Sequence, residues 1–239
     1  MKRVLLGMLT PSSNTVLEPV TTAMLDGLPE VTAHFGRFRV TEISLGREAL
    51  GQFELDPVLR AAELLADAKV DVIAWNGTSA GWRGFEVDAL LCERITAATG
   101  IKATTSILAL NEVFARTGVT RFGLASPYIP EIQDAIISNY RKSGLECVAE
   151  CHLNERVNFN FSNFTDDDIA GMLREIAAAG PQAITTYCTN MRAAPLVDAL
   201  ERELGVPIYD TISVVVWKSL IIAGVDPARV KGWGRLFAL

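Results

Sequence analysis

Short apolar runs, each closed by a small polar turn, alternate along this chain with helix-length segments, and that alternation admits few folds. Residues 4–9, 33–40, 70–75, 103–105, 121–125, 146–152, 183–187 and 207–209 read as strands. Residues 57–68, 84–99, 108–117, 130–143, 166–179, 193–204 and 211–223 carry helical periodicity. A parallel strand pair needs a crossover long enough to hold a helix, so this pattern predicts parallel sheets covered by helices on both faces. Pro57 and Pro130 suit first helical turns, and Thr165 ahead of Asp166, Asp167 and Asp168 is a capping start.

The order then repeats. In the first half, residues 4–9 lead to Thr10-Pro11-Ser12-Ser13-Asn14-Thr15, and residues 70–75 lead to Asn76-Gly77-Thr78-Ser79. In the second half, one strand leads to Ser126-Pro127-Tyr128 and a later one to Cys188-Thr189-Asn190. Within each half the two turns lie about 65 residues apart. We therefore expect an α/β protein of two pseudo-symmetric lobes, each a mainly parallel sheet flanked by helices, with the active site in the cleft between them. Residues 1–110 plus 211–239 are expected to form the first lobe and residues 111–210 the second. Ligands of open α/β sheets bind beyond the carboxyl ends of the strands, which is where all four turns fall.

Composition removes several classes of partner. The formal net charge is −6 and no Lys/Arg cluster occurs, so no nucleic-acid partner is expected. The apolar run after Met1-Lys2-Arg3 is too short for a secretory signal, and no stretch is long enough to span a membrane. A cytoplasmic protein without a membrane partner is expected, and the sequence allows a homo-oligomer. The four cysteines are Cys92, Cys147, Cys151 and Cys188, none in a CxxC pair, and only His34 and His152 could join them at a metal. We read all four as reduced thiols and expect no zinc site. Nucleotide, flavin and hydrolase motifs are absent, and no cofactor is expected.

Among the candidate residues, Cys188 stands at a strand-to-turn junction ahead of a helical segment. It is either a packed core thiol or a reactive one whose pKa a helix N-terminus lowers. Gly77-Thr78-Ser79 is either a helix-capping turn or a set of hydroxyl and N–H donors for a carboxylate or enolate oxygen. Ser12-Ser13-Asn14-Thr15 reads as an anion nest or a plain N-cap, and Tyr128 as a held phenol or a packed aromatic. Trp75, Trp82 and Phe161 are expected to shape the pocket.

These motifs resemble those of the Asp/Glu racemase superfamily, within it the branch of arylmalonate decarboxylases and maleate isomerases, over nearly the whole chain. Gly77-Thr78-Ser79 followed by Arg83-Gly84 is similar to the decarboxylase's Gly-Thr-Ser turn. Residues 124–129, Leu-Ala-Ser-Pro-Tyr-Ile, resemble its tyrosine-bearing turn, and residues 232–237 resemble its terminus. Cys188 stands where the decarboxylase keeps its one catalytic cysteine. Pro11-Ser12-Ser13-Asn14-Thr15 instead resembles the maleate isomerase loop, whose asparagine holds a substrate carboxylate. Racemases and maleate isomerases of the superfamily carry a cysteine at the place of Gly77.

The resemblance implies an enzyme acting on a small carboxylate or dicarboxylate, with Cys188, Thr78, Ser79 and Tyr128 catalytic. Asn14, Ser13, Gly77, Ser126 and Thr189 would bind the substrate. Racemisation needs an acid and a base on opposite faces of one carbon, and one thiol supplies only one of them. The expectation is therefore a decarboxylase of a substituted malonate that protonates an enediolate from one side. The alternatives are an isomerase or racemase of a small dicarboxylate, or a non-catalytic carboxylate-binding relative. On the decarboxylase reading, Gly77→Cys should add an acid on the second face and bring racemising activity.

Overall fold

The computed structural model describes residues 2–46, 51–52 and 55–239. Two four-stranded sheets, parallel throughout, repeat one strand order. The first contains β1 (Val4–Pro11), β2 (Val31–Phe38), β3 (Val72–Trp75) and β4 (Ala103–Thr105) in the order β2-β1-β3-β4. The second contains β5 (Arg121–Ser126), β6 (Glu146–His152), β7 (Ala183–Thr186) and β8 (Ile208–Asp210) in the order β6-β5-β7-β8. The alternation thus yields the two-lobed α/β architecture it predicts.

Burial explains the strand sequences. β3 and β7 are interior strands buried along their whole length, and β3 (Val-Ile-Ala-Trp) is correspondingly unbroken apolar sequence. β7 carries two buried hydroxyls, and each has an acceptor. Thr185 Oγ1 donates to the Tyr209 carbonyl at 2.9 Å and Thr186 Oγ1 to Asp210 Oδ2 at 2.6 Å. β6 lies at a sheet edge, and its exposed Glu146 and Glu150 fit that position.

The helices are α1 (Leu17–Met24), α2 (Leu55–Asp67), α3 (Ala80–Arg83), α4 (Glu86–Thr99), α5 (Ser106–Thr117), α6 (Pro130–Lys142), α7 (Asp166–Ala177), α8 (Val197–Leu204) and α9 (Thr211–Ile222). Thr165 closes a reciprocal capping box with Asp168 at the start of α7. The expected helix at 84–99 is α4 alone, because Gly84 at φ +109° separates it from α3. The segment expected at 193–204 opens as a 3-10 turn, Ala194–Leu196, before α8. Helix α1 was not expected from periodicity.

α9 is apolar on nearly all sides and buried. It packs on α5, β3 and β4 of the first sheet and also meets β8. Asp210 caps it, accepting from the N–H groups of Ile212 (2.8 Å) and Ser213 (3.2 Å). Beyond α9 the chain touches both halves: Arg229 pairs with Glu30, and the Arg235 N–H donates to Glu201 Oε2 at 2.7 Å.

Candidate active site

Strand register brings the turns together. Leu9 of β1 lies opposite Trp75 of β3, and Ala125 of β5 lies opposite Thr186 of β7. The carboxyl ends of each central pair are therefore level, and their turns project into one cleft. Hydrogen bonds join the turns across it. Thr78 Oγ1 and Tyr128 Oη lie 2.6 Å apart, and Thr189 Oγ1 donates to the Asn76 carbonyl at 3.0 Å. The Thr15 N–H donates to Asn190 Oδ1 at 2.9 Å.

Between the turns lies a cavity of about 20 Å³, room for about one water. Its polar wall comprises Thr78, Ser79, Tyr128, Asn158, Cys188 and Thr189. Its apolar wall comprises Pro11, Val40, Ile43, Trp75 and Trp82, with Gly77 between them. Among the described residues no charged side chain lines it. Phe161 is not in the wall; it packs edge-on against Tyr128 with ring centroids 5.5 Å apart.

Of the residues singled out in the sequence, Cys188, Thr78, Ser79, Tyr128, Gly77 and Thr189 meet at this cavity, whereas Asn14, Ser13 and Ser126 stand behind it. Asn14 makes four hydrogen bonds within the protein, which uses the full capacity of its amide. Its Nδ2 donates to the Thr189 carbonyl and hydroxyl at 3.0 and 3.2 Å, and its Oδ1 accepts from Val16 N and Leu17 N at the start of α1. Ser13 Oγ donates to the Val40 carbonyl at 2.7 Å and accepts from Asn158 Nδ2 at 3.0 Å. Ser126 Oγ donates to Gln133 Oε1 at 2.6 Å and accepts from the Tyr128 N–H at 3.2 Å. These three residues hold the lining residues in place.

Sequence reasoning missed Asn158, which ties Ser13 to Asn190: the Asn190 amide donates to the Asn158 carbonyl at 2.6 Å. It falls in a 3-10 turn (Asn158–Asn163) with no periodic signal. Val40, which the sequence places at the end of the strand read over 33–40, and Ile43 lie in the stretch after β2 and were also missed.

Gly77 is required by a close approach. A Cβ there would lie 2.0 Å from Cζ2 and 2.4 Å from Cε2 of Trp75. That indole is buried and packs on Phe38, with ring centroids 4.9 Å apart. A side chain on Gly77 therefore requires the Trp75 ring to shift. Gly77→Cys should cost about 1–3 kcal/mol through overpacking, and on the decarboxylase reading its second thiol should bring racemic product. Urea unfolding and chiral chromatography of the product check the two parts.

Burial also sets the protonation states. Cys188 is 3% exposed, and its thiol is pushed up to about 12 by desolvation, against opposing hydrogen bonds from the Asn190 N–H and the Tyr128 hydroxyl. The helix effect suggested by sequence does not reach it, because α8 begins nine residues later. Burial raises the Tyr128 phenol well above its usual range, with the nearby Cys188 adding to the effect. The cleft thus presents a neutral thiol and a neutral phenol in contact.

Behind Trp75 and Ser79 lies a second cavity of about 140 Å³ that contains Asp88 and Arg83. Burial pushes the Asp88 carboxyl up to about 7, against a hydrogen bond from Thr105 and the charge of Arg83. Its Oδ2 has no hydrogen-bond partner among the described residues. Between pH 4 and 7 the folded protein holds this proton and the unfolded chain does not, so Asp88 makes stability fall as pH rises through that window. Asp88→Asn should remove this contribution and stabilise the fold at pH 8 by about 3–4 kcal/mol, measured by urea unfolding at pH 5 and pH 8.

The arrangement defines a class: a two-lobed α/β protein whose lobes enclose one cysteine among hydroxyl donors. The family model described as arylmalonate decarboxylase matches residues 19–237, and the chain belongs to that family. It is 25% identical over 230 residues to a maleate isomerase from Geobacillus stearothermophilus, covering 92% of this chain and 91% of that protein. It is 24% identical over 236 residues to an arylmalonate decarboxylase from Bordetella bronchiseptica, covering 97% and 95%. The crystal structure of the maleate isomerase Iso from Pseudomonas putida S16 shares the fold, with a TM-score of 0.88 at 23% identity over 99% of this chain and 98% of that one. Among the described residues no cluster of His, Cys, Asp and Glu could hold a metal ion, and no helix is long and apolar enough to cross a membrane.

Proposed function

We propose that this protein is a cofactor-independent decarboxylase of a substituted malonate. The observation that carries this reading is one neutral thiol, Cys188, in a cleft where, among the described residues, no charged side chain lines the wall and Gly77 supplies no acid opposite it.

The retained carboxylate binds at Thr78, Ser79, Tyr128 and the backbone amides of their turns. The departing carboxylate lies against the apolar side chains of Val40, Ile43 and Trp82, where loss of water destabilises its charge. The bond between the α-carbon and that carboxylate breaks, CO2 leaves, and the electron pair passes into an enediolate. Hydroxyl donors already aimed at the growing negative charge contribute about 3–4 kcal/mol each. The Cys188 S–H then gives its proton to one face of the α-carbon, and the thiolate recovers a proton from solvent. Asn14 is a positioning residue that acts through Thr189.

A second reading, an isomerase or racemase of a small dicarboxylate, is favoured by the maleate isomerases among the relatives and by the Pro11–Thr15 turn packed on the Cys188 turn. It requires Cys188 itself to attack the substrate, or another group to supply the missing acid. Incubation with a panel of α-substituted malonates and with maleate separates the two. CO2 release with formation of the matching monocarboxylate is the expected result. Fumarate from maleate with no CO2 from any malonate would overturn it in favour of the second reading.

A further inference from the structure

A hydrogen-bonded chain runs from the turn that carries Tyr128 to the surface of the second lobe. At its buried end the Tyr128 N–H donates to Ser126 Oγ at 3.2 Å, and Ser126 Oγ lies 2.6 Å from Gln133 Oε1 in the first turn of α6. Gln133 Nε2 donates to Glu150 Oε2 of β6 at 2.9 Å, and His152 Nδ1 meets the same oxygen at 2.9 Å. Ser126 and Gln133 are buried, whereas Glu150 is exposed on the edge strand. The outer end sets the direction of the bonds. A carboxylate only accepts, so the Gln133 amide turns its NH2 toward Glu150 and its carbonyl toward Ser126. The Ser126 hydroxyl donates to that carbonyl, which leaves its lone pairs for the Tyr128 N–H.

We propose that Gln133, held in one orientation by Glu150, is a positioning residue that aims the Tyr128 phenol at the Thr78 hydroxyl. The inference rests on Tyr128 serving as a donor in the malonate reading above and adds the residues that aim it. Without the Gln133 carbonyl, the buried Ser126 hydroxyl has to turn to another acceptor, and its bond to the Tyr128 N–H weakens. The phenol belongs to the residue so released, and a displacement of about 1 Å at a reacting site can cost about 100-fold in rate. The carbonyls of the turn are held separately: Leu153, Glu155 and Asn154 donate their N–H groups to Ser126, Pro127 and Tyr128, at 3.1, 2.9 and 3.1 Å. The fold should therefore survive a change at Gln133, while the setting of the Tyr128 N–H depends on Ser126.

Gln133→Leu should lower kcat about 10–100-fold with little change in KM. On a Tyr128→Phe background the same substitution should cost less than about twofold more, because the group it aims is already gone. Equal losses with and without the phenol would overturn the proposal. The outer end is tested without altering a buried residue. Glu150→Gln keeps an acceptor for the Gln133 amide and should retain most of the activity. Glu150→Lys presents only donors, turns the amide round and should reproduce the Gln133→Leu loss. Full activity in Glu150→Lys would overturn the role given to Glu150. The amide proton resonance of Tyr128 reports its bond to Ser126 without turnover. It should move in Gln133→Leu and Glu150→Lys and stay in place in Glu150→Gln, and a resonance that moves in neither of the first two would overturn the proposal. If it moves as expected while the unaltered protein releases no CO2 from any malonate, the decarboxylase reading fails and the positioning chain stands.

Discussion

Cys188→Ala is expected to lower kcat for malonate decarboxylation by about 10²–10⁴-fold, the range for loss of a positioned general acid. The side chain is small, and its partners include the Asn190 N–H, 3.3 Å from Sγ, the Tyr128 hydroxyl and the Met191 backbone. Its removal should therefore cost about 1 kcal/mol of stability, leaving a folded protein to assay. Because burial pushes the thiol up to about 12, the proton-bearing form predominates throughout the neutral range. Titration of Cys188 should accordingly leave the rate level between about pH 6 and pH 9. A rate that falls on the alkaline side with an apparent pKa near the ordinary thiol value of about 8.5 would place the sulfur in a more exposed setting than the structure gives it. Steady-state kinetics of the variant and a pH profile of the unaltered protein make both measurements.

Tyr128→Phe is expected to lower kcat by about 10²–10³-fold, the cost of one donor to a developing oxyanion. The phenol is the point where the two lobes' chemistry meets: it lies 2.6 Å from the Thr78 hydroxyl and touches the Cys188 thiol. Deleting it removes a donor and also frees Thr78 to rotate. The phenyl ring of the variant keeps its packing against Trp82 and Phe161, at 5.4 and 5.5 Å between centroids. The backbone N–H stays bonded to Ser126 Oγ, so the fold should persist. A loss in kcat with little change in KM assigns the hydroxyl to the transition state; a rise in KM alone would make it a ground-state binding group.

The sheets are readable from sequence because central parallel strands are buried on both faces. The carboxyl ends of those strands then mark the cleft, which is why six of the nine residues singled out line one cavity. Asn14 shows where such reading stops. A polar side chain in a turn beside a site looks the same in sequence whether it faces the ligand or caps a helix, and here its four protein partners decide. The helix it caps was itself hidden. α1 buries Leu17, Thr21 and Met24, a stripe weakened by a threonine, and carries Pro19 in its first turn. Cys188 illustrates a different gap. Neighbours in sequence suggested a lowered pKa, but the shift depends on how much of the chain closes over the sulfur, and that burial comes from residues remote in sequence. The barrier at Gly77 is equally tertiary: Trp75 is two residues away, yet only the fold shows its ring lying over the glycine.

The measurement that bears most directly on one-sided proton delivery is decarboxylation of 2-methyl-2-vinylmalonate in D2O, with the product resolved by chiral chromatography and mass spectrometry. Delivery by Cys188 alone yields one enantiomer of the α-deuterated monoacid. Racemic deuterated product from the same turnover would contradict the account, because it requires acids on both faces of the carbon or release of the enediolate before protonation.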